Sequence, residues 1–165
     1  MADEITKYDL GGYDAVTRAL WDLLNSYPDL NGDEFMFAEV DAASGKAFIP
    51  ISGAKIQSET RDVTEHVTQY CLYPFMLVYK AAGLSENNKV NVKEWLEKIG
   101  RWLGKETVTI KGLEQHLTEY PELTGDREIV RIECTSPSYL ASVNQENVEQ
   151  WEIMLQAVYK NEYDE

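Results

Sequence analysis

Val148-Glu149-Gln150-Trp151-Glu152-Ile153-Met154-Leu155-Gln156-Ala157-Val158-Tyr159 places Trp151, Ile153, Leu155, Ala157 and Tyr159 on one face, and Glu152, Met154 and Gln156, with Lys160 just beyond, on the other. A period of two with aromatic and β-branched residues on the apolar side predicts a β-strand that buries one face. Arg127 to Thr135 reads the same way, with Val130, Ile132 and Cys134 against Ile129, Arg131 and Glu133. His66 to Tyr79 is a third such run, with Val67, Gln69, Cys71, Tyr73 and Phe75 opposite His66, Thr68, Tyr70 and Leu72. Pro74 cannot donate a ladder hydrogen bond, which predicts either a bulge there or a place at the sheet edge.

Two further strands come earlier in the chain. Phe35 to Val40 and Lys46 to Ser52 flank Asp41-Ala42-Ala43-Ser44-Gly45, and this spacing predicts a hairpin. Ile56 to Val63 is polar and reads as an exposed loop or an edge extension. Helical spacing occurs twice. Val16, Leu20, Leu23, Leu24 and Tyr27 form an apolar stripe over Tyr13 to Tyr27, ended by Pro28, with Asp14, Arg18, Asp22 and Asn25 on the solvated side. Val92, Trp95, Leu96, Ile99, Trp102 and Leu103 form the second stripe. Asn91 with Glu94 is its expected N-cap pair, and Gly104 its expected left-handed C-cap. Val108 to Tyr120 fits either a strand, Val108-Thr109-Ile110, or a short helix through Leu113, Leu117 and Tyr120. The expectation is an α+β fold: a mostly antiparallel sheet of about five strands with two main helices packed mainly on one face.

At 165 residues and 44% hydrophobic, with no repeat or linker, the chain is expected to form one domain over 1–165, with 1–12 and the acidic 161–165 as flexible ends. The net charge of -14, from 29 acidic and 15 basic residues, opposes binding to phosphates but suits a wall that DNA passes without sticking. Cys71 and Cys134 are too few for a disulfide framework and lie in apolar runs, so both are expected as buried thiols in a reducing cytoplasm. The opening Met1-Ala2-Asp3-Glu4 has no signal-peptide core, and no apolar run is long enough to span a membrane.

The residues point to no catalytic, cofactor-binding or metal site. His66 and His116 lie apart and outside any HExxH or GxSxG context, and the glycines form neither GxGxxG nor GxxxxGK[ST]. Asp29, Asn31, Asp33 and Asp41 lack the order of an EF-hand loop and read as turn residues. Two carboxylates meeting in space could still make a small hydrolase. Tyrosines at 70, 73, 79, 139, 159 and 163 are of a type favoured at interfaces, and equally fill cores.

Tyr120-Pro121-Glu122-Leu123-Thr124-Gly125-Asp126-Arg127, then the strand to Cys134, the Thr135-Ser136-Pro137 turn and Ser138-Tyr139, then the closing aromatic strand, follow the Trp95 to Leu103 helix and the Tyr-rich strand from His66. This order, with the opening helix, resembles the tail terminator (tail completion or minor capsid) proteins of tailed phages and prophages. The resemblance implies a structural virion protein of the tail or neck, made in the bacterial host cytoplasm, that assembles as a homo-oligomeric ring, six-fold in such proteins. The ring would cap the tail tube protein, stop its growth and present a surface to the head-tail connector protein. In a contractile tail it would also meet the sheath protein, and DNA would pass through the lumen without specific binding. No catalytic residue carries over. Gln57, Glu59, Arg61, Asp62 and Tyr139 are the candidate subunit or tube contacts, because free strand edges recruit partners. The alternatives are a tail tube or other neck protein and, from another class, an acidic DNA-mimic inhibitor.

Overall fold

The computed structural model describes residues 7–39, 44–123 and 125–165. Two 17-residue strands form its centre, β4 (His66–Ala82) and β9 (Val148–Asp164). They pair antiparallel without a break from His66 opposite Asp164 to Ala82 opposite Val148. Each is flanked by two shorter strands laid end to end. Along β4 run β2 (Gly45–Pro50) and β3 (Lys55–Arg61); along β9 run β7 (Arg127–Cys134) and β8 (Tyr139–Val143). With β1 (Phe35–Phe37) beside β2, the main sheet has seven strands among the described residues.

Residues paired across the sheet share a face, so the odd-numbered residues of β4 and β9 point one way. Tyr73, Phe75, Leu77, Ile153, Leu155, Ala157 and Tyr159 lie on that side and are buried. Helices α1 (Leu10–Asn25) and α2 (Glu86–Leu103) both cover it, α1 through Val16, Leu20 and Leu24 and α2 through Leu96, Ile99 and Leu103. The α+β expectation with both helices on one face therefore holds. The opposite face carries Leu72, Pro74, Met76 and Met154, all half-buried, and the buried Ala47, Val78 and Val158, with no described helix over them.

Pro74 sits in a central strand, not at an edge or bulge. In an antiparallel strand a residue's N–H and C=O point to the same neighbour. The Pro74 carbonyl accepts from Ile51 N at 3.0 Å, so its missing donor faces the gap between β2 and β3. The proline is tolerated because the flanking strand is interrupted beside it.

Other expectations are corrected by local chemistry. β1 and β2 pair in parallel, Phe35 opposite Lys46 and Phe37 opposite Phe48, so they are not a hairpin. Ala38, at φ 62, turns the chain out of β1 after three residues, which leaves room for the return; Val40 and Asp41 to Ala43 of the expected strand and loop lie outside the described residues. Of the two readings of Ile56 to Val63, the edge extension is the one found: Lys55–Arg61 is the edge strand β3. A bulge between Ile129 and Arg131 shifts the β7 pattern, so Ile129 and Ile132 are both buried while Val130 is exposed. The ambiguous Val108 to Tyr120 stretch forms a hairpin, β5 (Val108–Ile110) and β6 (Leu113–Gln115), across Lys111-Gly112, whose positive φ values of 52 and 79 suit a type I′ turn.

α2 starts earlier than the apolar stripe, because Ser85, not Asn91, caps it by accepting from Asn88 N at 3.2 Å. At its other end Gly104 is not left-handed. Lys105, at φ 65, takes that role, with Glu106 N to Arg101 O at 3.0 Å and Lys105 N to Trp102 O at 3.0 Å completing a Schellman motif.

Both chain ends that the sequence left as flexible carry structure where described. Asn161 to Asp164 continue β9 opposite Gln69 to His66. Tyr8 bridges Lys55, and Asp9 N-caps α1. The buried Asp9 carboxylate accepts from Gly12 N at 3.1 Å, Arg127 Nε at 2.9 Å, Arg127 Nη2 at 2.7 Å and Tyr159 Oη at 2.8 Å. One side chain thus joins α1, β7 and β9. Burial pushes its pKa up, but the donors from Arg127, Tyr159 and Gly12 outweigh that and hold it below the ordinary 3.8.

Candidate functional site

Among the described residues the main sheet ends in β1 and β3 on one side and in β7 and β8 on the other. Asn25 Oδ1 accepts from Phe35 N and Trp21 Nε1 donates to Phe35 O, which covers β1, while β3 and β8 keep outer edges without a strand partner. On the β3 side, Lys7 O accepts from Ile56 N and Ala54 O accepts from Asp9 N, so the N-terminal segment covers the start of β3. Beyond Ile56 the outer edge of β3 has no backbone partner among the described residues. On the other side Tyr120 covers part of β7, its Oη accepting from Ile132 N at 3.2 Å and donating to Leu103 O at 2.7 Å. β8 has no such cover.

The two free edges lie at diagonally opposite corners. β3 flanks Val67 to Leu72 of β4, which pair with Val158 to Tyr163; β8 flanks Glu149 to Glu152 of β9, which pair with Val78 to Ala81. The structure therefore groups Gln57, Glu59, Arg61 and Asp62 at one corner and puts Tyr139 at the other. Glu59 and Arg61 pair with Gln69 and Val67, so both lie on the helix-covered face. Asp62 serves the β3–β4 turn, accepting from Thr64 N at 2.8 Å, Thr64 Oγ1 at 2.7 Å and His66 N at 3.0 Å. The Thr64 hydroxyl is the first reason its carboxyl is held below the ordinary value. Tyr139 is half-exposed and donates to the buried Glu152 Oε2 at 2.9 Å.

The edges differ in chemistry. β3 carries Lys55, Glu59 and Arg61, charges that discourage pairing with any strand that does not answer them. β8, Tyr139-Leu140-Ala141-Ser142-Val143, has no charge and exposes Leu140 at 41% and Val143 at 53%. Leu140 and Val143 pair with Trp151 and Glu149 and so share the helix-covered face. Between them and the N-terminal end of α2 lies a cleft of about 380 Å³, walled also by Leu84, Lys89 and Glu149. Glu149 is 5% exposed, its Oε1 has no hydrogen-bond partner, and Lys89 Nζ stands 3.8 Å away. The sequence reading missed β8 and Glu149. The available signal was parity: Glu149 falls in step with Trp151, Ile153 and Leu155, a carboxylate on the buried face of an apolar alternation.

Other polar groups are accounted for by structure. Asp33 pairs with the buried Lys46 at 2.6 Å, and that ammonium lies 4.5 Å from the Tyr79 ring centre and 5.2 Å from that of Trp95. The Lys46 ammonium thus answers Asp33 of the acidic turn. No group of three His, Cys, Asp or Glu able to hold a metal occurs among the described residues. Cys71 is buried and its thiol is pushed up to about 11, chiefly by burial. Cys134, expected buried, is exposed, although its sulfur rests against Gly100 of α2. No helix among the described residues is long and apolar enough to cross a membrane.

No protein-family model matches the chain, and no curated protein matches it.

Proposed function

We propose that the chain is a structural subunit of a phage or prophage tail, a terminator that caps the tail tube as a ring and forms the joining surface to the head connector. The observation that supports this reading is the one-sided sheet whose β3 and β8 edges, at opposite corners, carry no strand partner among the described residues. Such a sheet can continue from copy to copy, helices outward and bare face inward, without two identical edges having to meet. A head-to-tail contact of that kind closes into a ring when its rotation closes. Growth of the tube stops if one rim of the ring complements the tube and the other accepts no further tube subunit.

The acidic surplus adds less than composition alone promised. On the bare face Lys55, Lys80, Arg131 and Lys160 are interleaved with Glu128, Glu133, Glu152 and Glu162. On this face the mixture gives no continuous carboxylate track.

Deletion of the gene in its parent phage or prophage, followed by negative-stain electron microscopy, tests the proposal. Overlong, variable tubes without heads are expected; head-joined tails of normal length overturn it. A purified chain that polymerises by itself into tubes would mark a tube subunit instead.

A further inference from the structure

The cleft beside β8 has one feature that a solvated surface does not explain: a buried carboxylate oxygen without a donor. Burying such a group unpaired is costly, so a donor that arrives with a partner is favoured strongly over none. Lys89 cannot serve fully at 3.8 Å, and its ammonium already donates to Glu86 Oε1 at 3.2 Å. The walls beside the carboxylate are Leu140 and Val143, and β8 between them offers an unguarded edge. The site therefore calls for an extended segment that brings a cation on one face of its strand.

This chain has such a segment. β3 runs antiparallel to β4, β4 antiparallel to β9 and β9 antiparallel to β8, so β3 and β8 run in opposite directions. Two copies in the same orientation, the second displaced along the strand direction by the offset between the two corners, thus bring β3 of one against β8 of the next as an antiparallel ladder, the more stable kind. On the face that would meet the cleft β3 carries Glu59 and Arg61, whereas the cleft carries Lys89 and Glu149. The charges are complementary in both directions. Arg61 now pairs with Glu165, both partners half-exposed, an exchangeable surface contact.

Resting on the ring reading above, we infer that β8 and its cleft receive β3 of a second copy, Arg61 of the incoming strand supplying the missing donor to Glu149. The contact is head to tail, so each copy offers one β3 and one β8.

The test is native mass spectrometry with light scattering on the full chain across concentration, for the wild type, Arg61→Glu, Leu140→Lys, Glu149→Arg and the Arg61→Glu/Glu149→Arg double variant, with circular dichroism as the folding control. Arg61 and Leu140 are exposed, so their variants keep the test valid even if Glu149→Arg unfolds. The wild type is expected to self-associate. Arg61→Glu and Leu140→Lys should each weaken assembly about 100-fold, as loss of a desolvated charge pair or of an edge does, and the double variant should recover it. A wild type that stays monomeric at every concentration overturns self-association through this edge, leaving the terminator reading to the tail-length experiment. Assembly that resists Arg61→Glu but fails with Leu140→Lys indicates β8 paired with β8 about a two-fold axis and overturns the role given to β3. Assembly indifferent to both variants overturns the interface while keeping the ring.

Discussion

Replacing Asp9 with alanine removes four hydrogen bonds and one charge from a place where three elements meet. Two losses dominate. Breaking a buried ion pair from one side costs about 3–5 kcal/mol, because the remaining charge is stranded. The Arg127 side chain is 21% exposed and can reach some water, which puts this part at the lower end, about 3 kcal/mol. Loss of an aspartate N-cap adds about 1 kcal/mol. The orphaned Tyr159 hydroxyl, fully buried, overlaps with the first loss and is not added to it. The expected destabilisation is therefore about 3–4 kcal/mol, or a fall in Tm of roughly 10 °C for a chain of this size. Urea denaturation followed by circular dichroism measures it directly. Asp9→Asn separates the contributions, since its one amide oxygen can still accept from Gly12 N, whereas the charge and the second acceptor, which faces Arg127 Nε and Tyr159 Oη, are lost. The sign of the pH effect follows from the lowered pKa: the Asp9 contribution is complete above the unfolded carboxyl value near 3.8 and is lost as pH falls through the lower folded value. The gap between wild type and Asp9→Asn should hold at neutral pH and narrow below about pH 4. A loss under 1 kcal/mol for Asp9→Ala would refute the reasoning, and so would a gap that widens in acid.

Three further outcomes are expected. A Cβ at Gly100 would come within 2.6 Å of Cys134 Sγ and 3.3 Å of Ile153 Cδ1, so Gly100→Ala should cost about 1–3 kcal/mol despite its better helix propensity. Cys134→Ala in that background should return part of it, and additive effects in chemical denaturation would count against the packing argument. Tyr27 carries a buried hydroxyl without a partner between the Trp95 and Trp102 rings, so Tyr27→Phe should be neutral or stabilising by up to about 1 kcal/mol; a clear drop in Tm would reveal a donor or acceptor for it. His66 Nδ1 lies 2.9 Å from Asp164 Oδ1, which raises its pKa, so proton NMR titration should show that pKa falling in Asp164→Asn. Because the folded value is raised, this pair supports the fold below the ordinary histidine pKa and ceases to as pH rises through the folded one.

The sequence carried the two helices and the central strands because their periodicities are long. Trp151 to Tyr159 and Val92 to Leu103 keep one period over enough residues to define a face. Short or shifted elements were illegible for physical reasons. β8 has five exposed residues and no alternation of burial, so nothing in its composition separates it from loop. The β7 bulge breaks the period at Ile129, and the parallel pairing of β1 with β2 is a tertiary choice that local spacing read as a hairpin. Of the candidate contacts, the polarity of Gln57 to Arg61 identified one free edge. The other was represented only by Tyr139, because a carboxylate at position 149 looks solvated until its burial is seen.

The pairing of β4 with β9 also sets a schedule for synthesis. β4 ends at Ala82 and β9 begins at Val148, so the 65 residues of 83–147 separate completion of one central strand from the start of its partner. At roughly 5–20 residues per second the ribosome takes about 3–13 s to cross that interval. Throughout it β4 can pair only with β2 and β3, and the side that will meet β9 stays open. Nascent chains on one polysome therefore display matching strand edges close together, which makes translation itself the period of greatest exposure to misassembly, and codon usage between 83 and 147 a lever on yield.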